Sequence, residues 1–173
     1  RGITFATVAK LALDAGYRGS ANKLPLPPII AAPKQSSSTS DYAKKLFRVC
    51  ERGDALVAEH EYARAKGIEW AAGAGRGIAS GKLIGQDSDC VIVPVRNIEA
   101  TEVQGVQCIN TIGIKQSFGD ISGGCLLLGN TLNLGAEWFV AEGWASAVST
   151  VFHHQKEVCA CAFGKGNMEK VAK

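Results

Sequence analysis

The chain has 173 residues, enough for one ordinary domain or for a small domain with part of another. Hydrophobic residues make up 46% and charged residues 20%, which excludes global disorder, and the net charge of +3 permits contact with nucleic acid without requiring it. No stretch approaches the roughly 20 apolar residues of a membrane-spanning helix, and no signal peptide is visible. We therefore expect a cytoplasmic protein with no membrane partner.

The chain contains six cysteines, none of them in a C-x-x-C pair: Cys50, Cys90, Cys108, Cys125, Cys159 and Cys161. A zinc site needs paired ligands at tighter, recurring spacing, so a zinc site is disfavoured. The pattern favours buried free thiols in a reducing compartment.

The first forty residues predict a helix followed by a linker. Residues 3–15 have helical spacing of apolar side chains, so residues 1–17 are interpreted as the end of a preceding helical module. Four of the five prolines and a serine- and threonine-rich run follow, which predicts a linker at 18–39. The chain begins at Arg1 rather than at methionine, so we expect a piece of a longer protein.

Residues 40–130 predict a mixed helical and β region. Ser40 is expected to cap a first helix. Residues 54–66 are expected to form a second helix, which ends at Gly67. The apolar face of the first helix is assigned to Tyr42, Leu46, Val49 and Cys50. Its basic residues are read as a solvated face, with contact to a phosphate backbone as the alternative: Lys44, Lys45, Arg48 and Arg52.

The second half of this region is expected to be β-rich. Residues 73–85 contain five glycines but match neither the Walker A pattern nor the Rossmann fingerprint, so they are interpreted as a loop. Residues 91–95 and 103–109 predict a hairpin, residues 115–118 a third strand, and residues 125–128 form a further apolar run.

Residues 131–173 predict a β-α-β-α unit with a parallel sheet. We expect a buried strand at 138–141 with Trp138 in the core, a helix at 144–154, a strand at 158–163, and a last helix capped by Asn167. The fold class is therefore an α+β N-terminal region joined to a partial α/β, Rossmann-like domain. Ligands of such sheets gather at the carboxyl ends of the strands, where Glu142 and residues 164–167 are expected to lie.

Glu142 is the leading candidate for a functional residue. It follows a predicted strand and precedes Gly143, so its carboxylate is held with little steric cover. Such a carboxylate can act as a general acid or base, or can help to bind a hard cation such as Mg²⁺. The alternative is a solvated turn residue.

The sequence around Glu142 resembles a known motif. Residues 142–147, Glu-Gly-Trp-Ala-Ser-Ala, resemble the E-G-Y-A-T-A motif of TOPRIM-domain DNA primases of conjugative plasmids and satellite phages, with Trp144 for tyrosine and Ser146 for threonine. Residues 162–167 are similar to the A-F-x-x-G-N segment of the same family, which includes Gly166 and Asn167. Similar segments upstream follow the family's order: 60–68, 93–97, 106–110, 115–118 and 123–125.

The resemblance covers roughly residues 40–173 and implies a function. It implies a TOPRIM domain, of which residues 131–173 are the first half. It also implies that the full protein makes short primers on a single-stranded DNA template from nucleoside triphosphates. A helicase domain or protein is the further partner that the resemblance implies. It also implies that Glu142 shares Mg²⁺ or Mn²⁺ with a later Asp-x-Asp motif. No such motif follows before Lys173, so we expect an incomplete metal site and little activity from this chain alone. The alternatives are a non-catalytic nucleic-acid-binding module and another TOPRIM enzyme, such as a nuclease or topoisomerase.

Other residues are weaker candidates. Three cations are candidates for binding nucleic acid or nucleotide: Arg96, Lys115 and Lys165. Three aromatic side chains could stack on bases: Trp70, Trp138 and Trp144. Core packing is the preferred interpretation of Trp138 and Trp144, and Trp144, next to the motif, is the best stacking candidate of the three. His60 is interpreted as a structural histidine, and the adjacent pair His153 and His154 as unable to share a metal.

Overall fold

The structure is a computed structural model that describes residues 37–97, 99–133 and 135–173. The helical module predicted at 1–17 and the linker up to residue 36 lie outside the described residues. All of the described residues belong to one compact unit, Gln35–Lys173.

The described residues form two small sheets with short helices around them. In chain order the elements are α1 (Ser37–Val49), α2 (Asp54–Ala58), α3 (Glu61–Ala65), β1 (Gly75–Gly81), β2 (Gly85–Arg96), β3 (Val103–Asn110), β4 (Lys115–Gly119), β5 (Leu126–Gly129), β6 (Trp138–Ala141), α4 (Trp144–Val148), a π-helical turn (Ser149–His153), β7 (Val158–Cys161) and α5 (Lys165–Val171). None of the described helices has both the length and the apolar character needed to cross a membrane.

Helix α1 begins earlier than the sequence predicted, so Ser40 lies inside it and residues 37–39 are helical rather than linker. Its buried side chains are Ala43, Leu46 and Phe47, and Cys50 directly after the helix is buried with them. The assignment of Val49 to that face was wrong, because the buried face of the helix passes through Phe47 instead. The Arg52 guanidinium lies 4.3 Å from the Phe47 ring centroid and donates a hydrogen bond to the Phe47 carbonyl oxygen at 2.7 Å. Val49 is left largely exposed.

The helix predicted at 54–66 is divided into α2 and α3 by His60. His60 is fully buried, and its Nδ1 accepts a hydrogen bond from the Tyr62 amide at 3.3 Å, which caps α3. Its Nε2 lies 3.2 Å from the Asp89 carbonyl oxygen, so this ring nitrogen is the donor. His60 therefore holds α3 against β2, in agreement with its interpretation as a structural residue.

Strands β1 to β4 form an antiparallel sheet in sequential order. The hairpin of β2 with β3 and the third strand, β4, are confirmed. The prediction of a loop over residues 73–85 was wrong, because residues 75–81 pair with β2. Two of the glycines there serve packing: a Cβ on Gly75 would lie 2.5 Å from Cys50 Sγ, and one on Gly77 would lie 3.4 Å from Cys50 Cβ. The glycines thus let α1 lie directly on the strand.

The second sheet has the order β5-β7-β6, with β6 parallel and β5 antiparallel to β7. The β-α-β unit with parallel strands is confirmed, but the sheet as a whole is mixed. Its strand β5 comes from residues before 130, so the pairing crosses the boundary predicted there. The prediction of a buried strand at 138–141 was wrong in its burial: β6 is at the edge of the sheet, and Trp138 is 44% exposed rather than in the core.

Alternate residues of β2 face two different cores. Cys90 and Ile92 pack with α1 on one side, and Val91, Val93 and Val95 pack on the other side with α4, β5 and β7. The second core is continuous from the antiparallel sheet to the mixed sheet, so it holds the end of β6 in a fixed position beside β3 and β4.

The six cysteines are buried free thiols, as predicted. Burial raises the pKa of Cys90 to about 11 and that of Cys161 to about 12, and it raises the pKa of the other four thiols as well. We expect the folded protein to react with a thiol reagent at pH 8 far more slowly than the urea-unfolded protein. Fast reaction of several thiols in the folded state would contradict this burial.

The same thiols predict how stability depends on pH. Each thiol has a higher pKa in the folded state than in the unfolded state, so its contribution is complete below the unfolded pKa. Above about pH 8.5 the unfolded chain releases protons that the folded chain retains, and stability falls as pH rises. The midpoint of urea unfolding is therefore expected to decrease from pH 8 to pH 10. Substitution of Cys90 and Cys161 with alanine should reduce this pH dependence.

Candidate functional site

The carboxyl ends of β6 and β7 meet at one edge of the mixed sheet. The Ala162 amide donates a hydrogen bond to the Ala141 carbonyl oxygen at 2.8 Å, which extends the pairing one residue beyond β7. Glu142 follows β6, and Phe163 and Gly164 follow Ala162. The parallel arrangement therefore brings Glu142 and Gly164 to the same edge, where the sequence placed them.

A groove of about 280 Å³ opens at this edge. It is lined by residues of the mixed sheet and of strands β3 and β4: Gln107, Lys115, Glu142, Gly143, Ser146, Phe163 and Gly164. We call it the Glu142 groove. The ammonium group of Lys115 lies beside Gly143, since a Cβ on that glycine would be 3.2 Å from Lys115 Nζ. The groove therefore contains one carboxylate and one ammonium group.

The side chain of Glu142 is exposed. Across residues 37–97, 99–133 and 135–173, no hydrogen bond or ion pair engages its carboxylate. A carboxylate that no other part of the fold uses is available to a ligand or to a proton transfer.

The described residues do not fit a complete magnesium site at Glu142. Mg²⁺ prefers octahedral coordination by oxygen ligands, usually one or two carboxylates with water and substrate phosphates. The groove supplies one carboxylate and also contains the ammonium group of Lys115. No group of three His, Cys, Asp or Glu side chains among the described residues is arranged to hold a metal ion.

Gln107 is a buried residue of this groove that the sequence did not identify as functional. Its Oε1 is enclosed and has no hydrogen-bond partner within the described part of the chain. Buried amide oxygens nearly always accept a hydrogen bond, so this atom retains unused capacity next to Glu142. The signal in the sequence was a glutamine between the apolar residues Val106 and Cys108 of a strand.

The prediction that Asn167 caps α5 was wrong. Gly164 occupies the N-cap position, and Asn167 is the third residue of the helix. The side chain of Asn167 is buried and bonds to the backbone. Its Oδ1 accepts from the Gly123 amide at 2.7 Å, and its Nδ2 lies 3.0, 2.9 and 2.9 Å from the carbonyl oxygens of Ile121, Gly124 and Ala162. Asn167 therefore joins the loop before β5 to the end of β7.

Trp144 packs in the core rather than stacking on a ligand. It is fully buried, and its Nε1 lies 3.5 Å from the Ala72 carbonyl oxygen. Trp70 stacks on Phe152 with a centroid distance of 4.8 Å. Only Trp138, among these three candidates, presents a substantial part of its ring to solvent.

Two of the three predicted cations do not line the groove, although Lys165 directly follows the lining residue Gly164. Arg96 is half-buried at the end of β2, with its guanidinium 5.9 Å from the Phe47 ring centroid. Lys165 is exposed on the first turn of α5, next to the exposed Gly166. Lys115 alone of the three lines the groove.

Comparisons were made with protein-family models, with curated proteins and with solved structures, and none of them matches the chain.

Proposed function

We propose that this chain is the part of a TOPRIM-type DNA primase in which the catalytic carboxylate, Glu142, follows a strand. The primase synthesises short primers on single-stranded DNA in the cytoplasm. The observation that carries the proposal is the exposed, unengaged carboxylate at the carboxyl end of a parallel strand, inside a groove that also contains a lysine. The resemblance of residues 142–147 to the primase motif agrees with that position.

In this proposal the residues of the groove have separate roles. The ammonium group of Lys115 attracts the phosphates of a nucleoside triphosphate or of the template. The carboxylate of Glu142 lines the same groove and can hold or accept a proton at the reacting hydroxyl. Mg²⁺ or Mn²⁺, when bound, supplies charge neutralisation of phosphates. Since the described residues offer one carboxylate for it, its other ligands would come from elsewhere in the protein or from the nucleotide.

Two alternatives use the same groove. A non-catalytic nucleic-acid-binding module would need only its cationic residues, and the isolated position of Glu142 among the described carboxylates favours this second candidate. A TOPRIM nuclease or topoisomerase would cleave DNA rather than extend a primer. A helicase partner belongs to the primase proposal alone.

The test is primer synthesis by the protein from the complete reading frame, on single-stranded DNA with labelled nucleotides and Mg²⁺ or Mn²⁺. Glu142→Gln is expected to lower the rate at least about a hundredfold, since it removes a charge that acts in the reaction itself. The matched control is Glu137→Gln, which removes an exposed carboxylate at the other end of the same strand. Primer synthesis unchanged by Glu142→Gln would contradict the assignment, and DNA cleavage without synthesis would favour the nuclease alternative.

A further inference from the structure

Two turns lie at the same end of the antiparallel sheet, one between β1 and β2 and the other between β3 and β4. The side chain of Asn110 connects them: its Oδ1 accepts a hydrogen bond from the Ile114 amide at 2.8 Å, and its Nδ2 donates to the Ile84 carbonyl oxygen at 3.3 Å. Gln116 adds a second connection, because its Oε1 accepts from the Leu83 amide at 2.7 Å. The two turns are therefore held together as one surface, which we call the turn surface.

Three large aliphatic side chains are exposed on the turn surface: Leu83 by 59%, Ile112 by 77% and Ile114 by 42%. Turns between antiparallel strands usually carry glycine or polar residues. The contact of the first turn with the core is already made by Ile84, which is buried against the residues that pack under α1. The fold itself therefore does not use the three exposed side chains, and grouped apolar exposure of this kind marks a site of interaction.

The charge around these aliphatic side chains is positive. Lys82 lies in the first turn and Lys115 directly follows the second, and both are exposed. Lys66 lines the same depression of about 480 Å³ as Ile112 and Lys115, and none of the described residues that line this depression is acidic. Neither turn contains an acidic residue. The nearest carboxylate along the chain, Asp87, accepts a hydrogen bond from a serine hydroxyl of β1 at 3.0 Å.

We propose that the turn surface binds an acidic segment of a partner protein that also carries large apolar side chains. The exposed aliphatic side chains bury the apolar residues of that segment, and the three lysines attract its carboxylates. A second copy of this chain is a poorer occupant, because twofold symmetry would bring the same lysines together. A phosphate backbone is also a poorer occupant, because it has no apolar group to cover the aliphatic side chains.

The test uses the full 173-residue chain and a short labelled peptide of alternating aspartate and leucine, with fluorescence anisotropy as the measurement. Ile112→Asn and Leu83→Asn are each expected to weaken binding about tenfold, because each removes an aliphatic side chain that the complex buries. Lys82→Ala should weaken binding about threefold at low salt, through loss of one exposed ion pair. The melting temperature of these variants should stay near that of the wild type, since the three side chains are exposed.

Two control peptides separate the two parts of the surface. A peptide with lysine in place of aspartate should not bind, because it meets like charges. A peptide with serine in place of leucine should bind at least about tenfold more weakly than the original, because it has no apolar side chains to bury.

The matched control variant is Val49→Asn, which removes a 62% exposed aliphatic side chain from α1 and should leave binding unchanged. A wild-type chain that does not bind the aspartate–leucine peptide would overturn the proposal, as would equal binding of the lysine peptide. Equal loss from Val49→Asn and Ile112→Asn would overturn it too, because the binding would then not be specific to the turn surface.

Two further outcomes would assign the surface to another occupant and would also overturn the proposal. One is a dimer in sedimentation velocity that Ile112→Asn dissociates, which would indicate a second copy of the chain. The other is displacement of the peptide by an oligonucleotide at equal concentration, which would indicate nucleic acid. Because the peptide assay contains neither nucleotide nor template, its result does not depend on the proposed function, and loss of primer synthesis in Glu142→Gln does not bear on it.

Discussion

Replacement of Asn167 with alanine is expected to lower the free energy of unfolding by about 3 kcal/mol, because it leaves several buried backbone groups without their partner. The Gly123 amide loses its acceptor, and the carbonyl oxygens of Ile121, Gly124 and Ala162 lose a shared donor. The side chain is buried between the loop before β5 and the start of α5, so water does not replace these bonds easily.

Urea unfolding of three variants would measure this effect. Asn167→Asp should destabilise at least as much as Asn167→Ala at neutral pH, because a carboxylate cannot donate to carbonyl oxygens. Asn133→Ala is the control: that side chain is exposed and bonds to Glu157 and to the Gly135 amide, so a loss below about 1 kcal/mol is expected. A loss of that small size for Asn167→Ala would show that the buried network contributes little.

Replacement of Trp144 with alanine is expected to cost about 4 kcal/mol, since it removes the largest fully buried side chain of the core. The ring packs within the core that joins the two sheets, together with residues of β2, β5 and β7. A cavity there loosens the support of the Glu142 groove as well as the fold. The melting temperature should fall by about 15 °C.

The control for this prediction is Trp138→Ala, at the exposed edge of the mixed sheet, with an expected cost below about 1 kcal/mol. Trp144→Tyr retains most of the buried volume and should remain folded. Because the ring is buried, this variant should bind single-stranded DNA as the wild type does. A selective loss of DNA binding in a folded Trp144→Tyr variant would mean that the ring contacts bases after all.

The fold was predictable where local patterns and packing agree. The β2–β3 hairpin and β4 follow from β-branched residues between turn residues, and α4 and β7 follow from apolar runs of the right length. Strand β1 was missed because glycine is typical of loops, and its role here is close packing of Gly75 against Cys50 on another element. The burial of β6 was overestimated because an apolar run does not distinguish an edge strand from a central one.

The candidate site was predictable where it depends on the order and direction of the strands. Glu142 and Gly164 follow consecutive parallel strands, so their meeting at one edge follows from topology. Gln107 and Lys115 reach the Glu142 groove only through the packing of the antiparallel sheet beside the mixed sheet, a contact between residues far apart in sequence. Asparagine is a common helix-cap residue, so the sequence predicted a cap. The side chain of Asn167 turns inward because the loop before β5 presents backbone groups to it.

The most direct test combines two measurements on one variant, Glu142→Gln, in the protein from the complete reading frame. The variant is expected to bind single-stranded DNA at least as tightly as the wild type, because it removes a negative charge near the phosphates, while primer synthesis falls at least about a hundredfold. Primer synthesis at the wild-type rate, or loss of DNA binding together with synthesis, would contradict the assignment of Glu142 to the chemistry of primer synthesis.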